Sequence, residues 1–292
     1  MPEGDTVWRT AHTLHAALAG HTLLRTDFRV PRLATADLSG RVLLEVVPRG
    51  KHLLMRVEGG LTVHSHLGME GAWRVRANPG TDAVGRTPGS APDGSRRDLG
   101  STPVGGFGPA HQIRALLATG THTAAGIRLP VLELLRTKEE FTVVGHLGPD
   151  LLGADWDAAE AERRLLRDPE RPLVEALLDQ RNLAGIGNVY ASELCFLART
   201  SPWAPVGSLP SALPGRMLEA AKRLLEANKD RVRRRTTGSS RPDRALAVYG
   251  RENRPCYRCG TPVRTGPHGP PDRPRTAWYC PRCQPPATGS AN

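Results

Sequence analysis

Two C-x2-C pairs stand near the end of the sequence, Cys256 with Cys259 in CYRC and Cys280 with Cys283 in CPRC, and 20 residues separate them. Each pair can place two thiolates on one side of a tight knuckle, and two knuckles complete a tetrahedral zinc site. Four cysteine ligands leave no open coordination position. The Zn2+ expected here, one per chain, is therefore structural rather than catalytic. Its binding would fold a segment too small and polar to fold alone. The alternative is chance spacing or a redox pair. Arg264, Arg273 and Arg275 lie between the knuckles, so a zinc-pinned hairpin would offer basic side chains to phosphates. Cys195, alone in an apolar stretch, reads as a buried small hydrophobe rather than a nucleophile.

A second chemical signal is the stretch LLDQRNLAGIGNVYASELCF. It predicts a helix, a tight turn at Gly185 and Gly187, and a second helix opening at Asn188. Free backbone N–H groups at such a helix start can bind a phosphate, and the Asn188 side chain can add a hydrogen bond. An ordinary helical hairpin needs the same glycines for its turn. The basic run KDRVRRR at 229–235 reads as a solvated linker more than as a reader of a nucleic-acid groove.

The charge balance points the same way as these motifs. Forty Lys plus Arg against 29 Asp plus Glu leave a formal charge of +11, which favours a polyanionic partner. No stretch approaches the roughly 20 apolar residues that span a bilayer. MPEGDTVWRT has two acids and no apolar core, unlike a signal peptide. These features predict a cytoplasmic protein whose cysteines are metal ligands or buried thiols.

The elements that must position these residues follow from periodicity. Val7, Ala11, Leu14 and Leu18 recur at helical spacing, with Asp5 read as the N-cap and Gly20 as the stop. RVLLEVV, KHLLMRV, LTVHSHL and GAWRV predict strands punctuated by PRGK and EGG. Residues 77–110 are rich in Gly, Pro, Ser and Thr without periodicity and read as a flexible insertion. Strands resume in QIRALLA and AAGIRLPVLELL. After Gly148 the pattern turns helical, with a capping-box spacing from Asp157 to Glu160. The expected fold is α+β with two domains: a β-sandwich with flanking helices over 1–150, a helical domain over 151–245, and a zinc finger over 246–285.

PEG at the start, RGKHLL and HSHLGMEG in the β half, LLDQRNLAGIGNVYASE in the helical half and the terminal cysteine module occur together. With these motifs the sequence resembles the formamidopyrimidine-DNA glycosylase and endonuclease VIII family over nearly its whole length, apart from the insertion. The resemblance implies a helix-two-turn-helix DNA-binding domain and a bifunctional glycosylase and lyase of base excision repair. It implies that removal of Met1 exposes the secondary amine of Pro2 as the nucleophile. An α-amino group titrates near pH 8, which leaves a useful neutral fraction at about pH 7. Attack on the sugar C1′ gives an iminium, an electron sink that acidifies the 2′ hydrogen for β- and then δ-elimination. The resemblance further makes Glu3 the acid/base on the opening sugar, a role that asks for a raised pKa. Lys51 becomes a phosphate contact beside the lesion, and Met69 the wedge filling the void left by the flipped nucleotide. Asn188 and Arg275 become DNA contacts.

Three departures bear on the branch. The family commonly has glutamate where this chain has Thr6, a loss that Asp5 could offset. No RRFG-like segment is found, SRRDLG being a poor match, which argues for the endonuclease VIII branch and oxidised pyrimidines. The spacing between cysteine pairs exceeds that usual in the family. The partner expected is double-stranded DNA with a damaged base or abasic site, with single-stranded DNA as a further one, bound by a monomer. The alternatives are a lyase acting mainly on abasic or single-stranded DNA, and a catalytically silent DNA-binding paralogue. Intact-mass measurement of the active protein is expected to show Met1 removed; a retained Met1 ties the Pro2 nitrogen into a peptide bond and leaves no proline amine for the reaction.

Overall fold

The computed structural model describes residues 2–79 and 106–286. Most of the insertion read at 77–110, and all of SRRDLG, lie outside the described residues. Helix α1 (Gly4–Leu18) buries Val7, Ala11, Leu14 and Leu18, the stripe that its spacing predicts. Gly20 follows it at φ +78°, a left-handed conformation that glycine adopts without strain. The N-cap reading of Asp5 is corrected. Asp5 lies within the first turn, the Val7 N–H donates to the Glu3 carbonyl, and the Asp5 carboxylate binds Arg234 and Tyr190 instead. A charged partner far along the chain outcompetes a local cap.

The chain forms two compact units. One holds Arg9–Pro48 and His52–Val143. It contains two antiparallel sheets. The first orders β1 (His21–Thr22), β3 (Val42–Arg49), β4 (His52–Val57), β5 (Leu61–His66) and β9 (Val131–Arg136). The second orders β2 (Arg25–Phe28), β7 (Ile113–Ala118), β8 (His122–Ile127) and β6 (Ala72–Ala77). Leu43, Leu53, Met55, Val63, Ala115, Leu117 and Ala124 are buried, the inward set of a sandwich. Trp73 of β6 donates its ring N–H to the Ser65 hydroxyl of β5 at 3.1 Å, joining the sheets. The Val46 N–H donates to His15 Nδ1, joining α1 to β3.

The other unit holds Met1–Trp8, Arg49–Lys51 and Val144–Asn292. After α2 (Phe141–Val144) it is built from α3 (Ala158–Leu165), α4 (Leu173–Leu178), α5 (Asn188–Leu197), α6 (Leu213–Asn228) and the hairpin β10 (Arg264–His268) with β11 (Arg275–Tyr279). Asp157 caps α3 through the Glu160 N–H at 3.0 Å, as the spacing predicts. Leu165, Leu173, Leu177, Tyr190, Leu194, Met217 and Leu225 form its core. The expected α+β class is thus the observed one. The chain start and the 49–51 turn cluster with the helices, not with the strands that flank them in sequence. Among the described residues no helix is long and apolar enough to cross a membrane.

Candidate active site

Glu3 is fully buried, and its carboxylate lies against the start of α5. Oε2 accepts from the Gly187 N–H at 2.7 Å and from the Tyr190 N–H at 3.4 Å, and Oε1 accepts from the Val189 N–H at 2.9 Å. A carboxylate at a helix N-terminus gains from the orphan N–H groups and the helix dipole together. The N–H groups expected to receive a phosphate are therefore occupied by the protein's own acid. Glycine is required at 187 and leaves room for the close approach at 4. A Cβ on Gly187 would stand 2.5 Å from Glu3 Cδ and 2.6 Å from Cγ. Gly4 donates its N–H to the Gly185 carbonyl at 2.8 Å, and a Cβ on Gly4 would meet the Gly185 Cα at 3.0 Å. PEG and AGIG are two halves of one close approach.

Burial pushes the Glu3 carboxyl above the ordinary carboxylate range, against the opposing pull of Arg234, Lys51 and the Val189 N–H. Lys51 reaches this field from the β3–β4 turn. Gly50, at φ +56°, turns the chain there, and its N–H donates to Asp150 Oδ2 at 2.6 Å. Arg49 pairs with Asp155 and donates to the Gly148 carbonyl, which pins the turn to the helical unit. Lys51 is half-buried. Burial brings its ammonium down to about 8, Glu3 opposing, with Arg275 and Arg234 adding to the fall. It still carries a proton at neutral pH.

Arg234 is one residue that sequence reasoning missed. The run around it reads as solvated, yet its side chain is 13% exposed. Its Nε donates to Asp5 Oδ2 at 2.7 Å and its Nη2 pairs with Asp5 Oδ1. Its Nη1 lies 3.7 Å from Glu3 Oε1, and the guanidinium stacks 4.7 Å from the Tyr190 ring centroid. The Tyr190 hydroxyl donates to Asp5 Oδ2 at 2.9 Å. Burial works against ionising Asp5, but Arg234 and Tyr190 outweigh it and hold its pKa below the usual value. The sole sequence signal was an aspartate beside Thr6, where the family has glutamate.

Asn188 opens α5 and donates to the Thr276 carbonyl of β11 at 2.7 Å, while its buried Oδ1 has no partner. It therefore ties the helix start to the hairpin strand that carries the exposed Arg275. The buried Glu193 of α5 was also not foreseen. It accepts from the N–H groups of Ala247, Val248 and Tyr249 at 2.8, 2.8 and 2.9 Å and from the Thr236 hydroxyl. It gathers both ends of the 236–249 segment. Met69 sits elsewhere, in the β5–β6 turn of the sheet unit, 70% exposed. Cys195 is fully buried, and burial pushes its thiol up to about 12, which suits packing rather than attack.

Cys256, Cys259, Cys280 and Cys283 bring their sulfurs within 4.8 Å of one another. The contacts Cys256–Cys283 at 3.9 Å and Cys259–Cys280 at 3.4 Å are too long for disulfides. They lie near the edge of about 3.8 Å that a tetrahedron with zinc–sulfur bonds of about 2.3 Å requires. The donor set therefore fits a tetrahedral, thiolate-bound metal ion. The knuckles hold the β10–β11 hairpin, whose Ala277 enters the helical core.

Residues 1–96 match the family model described as the formamidopyrimidine-DNA glycosylase N-terminal domain, and 147–238 match the formamidopyrimidine-DNA glycosylase H2TH domain. A Streptomyces coelicolor protein named "Probable endonuclease 8 2" is 58% identical, over 97% of this chain and 94% of its own. The DNA-(apurinic or apyrimidinic site) lyase Nei2 of Mycolicibacterium smegmatis is 46% identical, over 97% of this chain and 99% of its own. The formamidopyrimidine-DNA glycosylase of Thermus thermophilus is 33% identical, over 97% and 98%. The solved structure of the Lactococcus lactis formamidopyrimidine-DNA glycosylase bound to DNA containing an abasic site superposes with a TM-score of 0.73, covering 97% of this chain and 99% of that one. At 20% identity this is a likeness of fold.

Gly187→Ala is expected to displace the Glu3 carboxylate and cut DNA base excision at least tenfold while the metal content stays at wild-type level. Unchanged excision would mean that the Glu3–α5 contact is dispensable.

Proposed function

Because the chain belongs to the formamidopyrimidine-DNA glycosylase and endonuclease VIII family, we propose that it excises oxidised pyrimidines from DNA and then cuts the strand, using the Pro2 amine as nucleophile. The observation that carries this reading is the buried Glu3 carboxyl, next in the chain to Pro2, clasped by α5 and within the field of the Lys51 ammonium.

In this reading the neutral Pro2 nitrogen bonds to the sugar C1′ and the N-glycosidic bond breaks, its electron pair leaving with the base and the amine N–H proton passing to that base. Glu3 supplies a proton to the ring oxygen as the sugar opens, a transfer that its raised pKa favours. The resulting iminium withdraws electrons, so loss of the 2′ hydrogen expels the 3′ phosphate, and a second elimination expels the 5′ phosphate. Lys51, a cation at neutral pH with a pKa of about 8, contacts the phosphate beside the lesion. Arg275 and Asn188, joined through β11, contact the DNA backbone. Met69 fills the space left by the extruded nucleotide. Cys256, Cys259, Cys280 and Cys283 would hold a Zn2+ that would lend the hairpin rigidity and no chemistry.

The pyrimidine branch rests on the missing RRFG-like segment and on relatives bearing the endonuclease 8 name. A second reading, a lyase acting mainly on abasic or single-stranded DNA, draws on the Mycolicibacterium relative named as an apurinic or apyrimidinic site lyase. A silent DNA-binding paralogue fits less well with an intact Pro2, Glu3 and Lys51.

Incubation with duplex DNA carrying thymine glycol, followed by borohydride, is expected to trap a covalent adduct. Pro2→Gly and Glu3→Gln should each lose base excision. A salt-sensitive mobility shift without adduct on thymine glycol or abasic DNA would mean a binding module; an adduct on abasic DNA alone favours the lyase reading. Elemental analysis should find one zinc per chain, with its removal by chelator abolishing DNA binding. Full binding by the metal-free chain would separate the cysteine cluster from DNA recognition.

A further inference from the structure

The Asp5–Arg234 pair is not explained by the reaction as written above. Two charges are taken out of water here, a costly arrangement unless geometry and additional hydrogen bonds compensate. The geometry is specific. Arg234 spends Nε and Nη2 on Asp5, and its plane lies against Tyr190, whose hydroxyl completes the Asp5 shell. One edge of the guanidinium remains, and it faces Glu3 Oε1 at 3.7 Å. That edge comes from the segment after α6, so nothing in α1 or α5 alone could supply it.

We propose that Arg234 is a positioning residue for Glu3: fixed from behind by Asp5 and Tyr190, its guanidinium steers the Glu3 carboxylate onto the start of α5 and serves as its balancing charge. The inference rests on the reading of Glu3 as the acid of base excision. Among the described residues, charged groups reach Glu3 from three segments. Arg234 comes from the segment after α6, Lys51 from the β3–β4 turn and Asp5 from α1. Tyr190 of α5 and Tyr249 of the 236–249 segment are neutral groups in the same field. Arg234 and Lys51 favour the charged carboxylate, and Asp5 disfavours it. Asp5 also divides the pull of Arg234 by sharing it. The chain therefore has an acid that tempers a cation, and the two act on Glu3 in opposite directions.

Opposite directions make the test decisive. Single-turnover base excision on thymine glycol DNA is followed from about pH 5 to 9, after borohydride trapping by the wild type. Arg234→Gln removes the balancing cation and leaves Asp5 uncompensated, so the limb governed by Glu3 should move to higher pH by about 1 unit, the lower end of the effect of a charge at this range. Asp5→Asn leaves Arg234 free to pair with Glu3 alone, so the same limb should move to lower pH. The sign holds whether Glu3 acts as acid or base, because either limb follows its pKa. Arg234→Lys should restore most of the wild-type profile. The double variant Asp5→Asn/Arg234→Gln leaves neither charge of the pair unmatched, so it keeps the fold testable, and its limb should fall between those of the single variants. Thermal midpoint and zinc content report folding in each case. Limbs that stay put, or that move the same way in both single variants, overturn the role of Arg234. A wild type that yields no trapped adduct overturns the reading of the site itself, and this inference with it.

Discussion

A carboxylate with no exposure to water must be repaid by whatever surrounds it, and the Glu3 side chain imposes that demand on this protein. Desolvating such an ion costs several kcal/mol even after relaxation. Hydrogen bonds to a charged group return about 1.5–3 kcal/mol each, and a helix start adds up to about 2 kcal/mol. The N-terminus of α5 provides three N–H groups at once. Once Glu3 occupies that place, Gly187 can carry no side chain, and Gly4 must lie on Gly185. The arrangement leaves the carboxyl harder to ionise than in water while it remains hydrogen-bonded, a combination suited to proton transfer at a fixed point.

Cations then decide how that acid behaves. Lys51, Arg234 and Arg275 arrive from three separate segments, and both arginines act on Lys51. Burial first, and their repulsion second, bring Lys51 down to about 8. Asp150 and Asp155 hold the turn that presents Lys51, and Asp5 holds Arg234. Each basic group close to Glu3 is thus anchored by an acid placed behind it. The basic surface of the chain is a general attraction for polyanions, whereas these anchored cations are a local instrument.

The cysteine module extends the same logic to the edge of the site. Four sulfurs in tetrahedral reach organise a hairpin with a small apolar contribution, Ala277 and Trp278, to the cores around it. Asn188 joins that hairpin to α5 through Thr276, one residue from Arg275. The start of α5 is therefore fixed from two sides, by Glu3 on its N–H groups and by β11 on its first side chain.

The elements were largely legible in the sequence. The stripe of α1, the alternation in the strands, the cap at Asp157 and the paired knuckles are local patterns, and local patterns survive because propensity and burial agree there. The C-x2-C pairs announce their own geometry. PEG and AGIG announced glycine but not its cause, because the contact that excludes a Cβ joins residues 4 and 185 and residues 3 and 187. Asp5 read as a cap and Arg234 as a solvated linker because each is ordinary among its neighbours in sequence. By itself the sequence determined which segments become helices, strands and metal knuckles, since those depend on contacts within a few residues or on spacing alone. Tertiary structure alone decided that the α5 N-terminus holds Glu3 and that Arg234 turns inward. The energy of a buried charge depends on partners more than 180 and more than 220 positions away, and no local pattern records them.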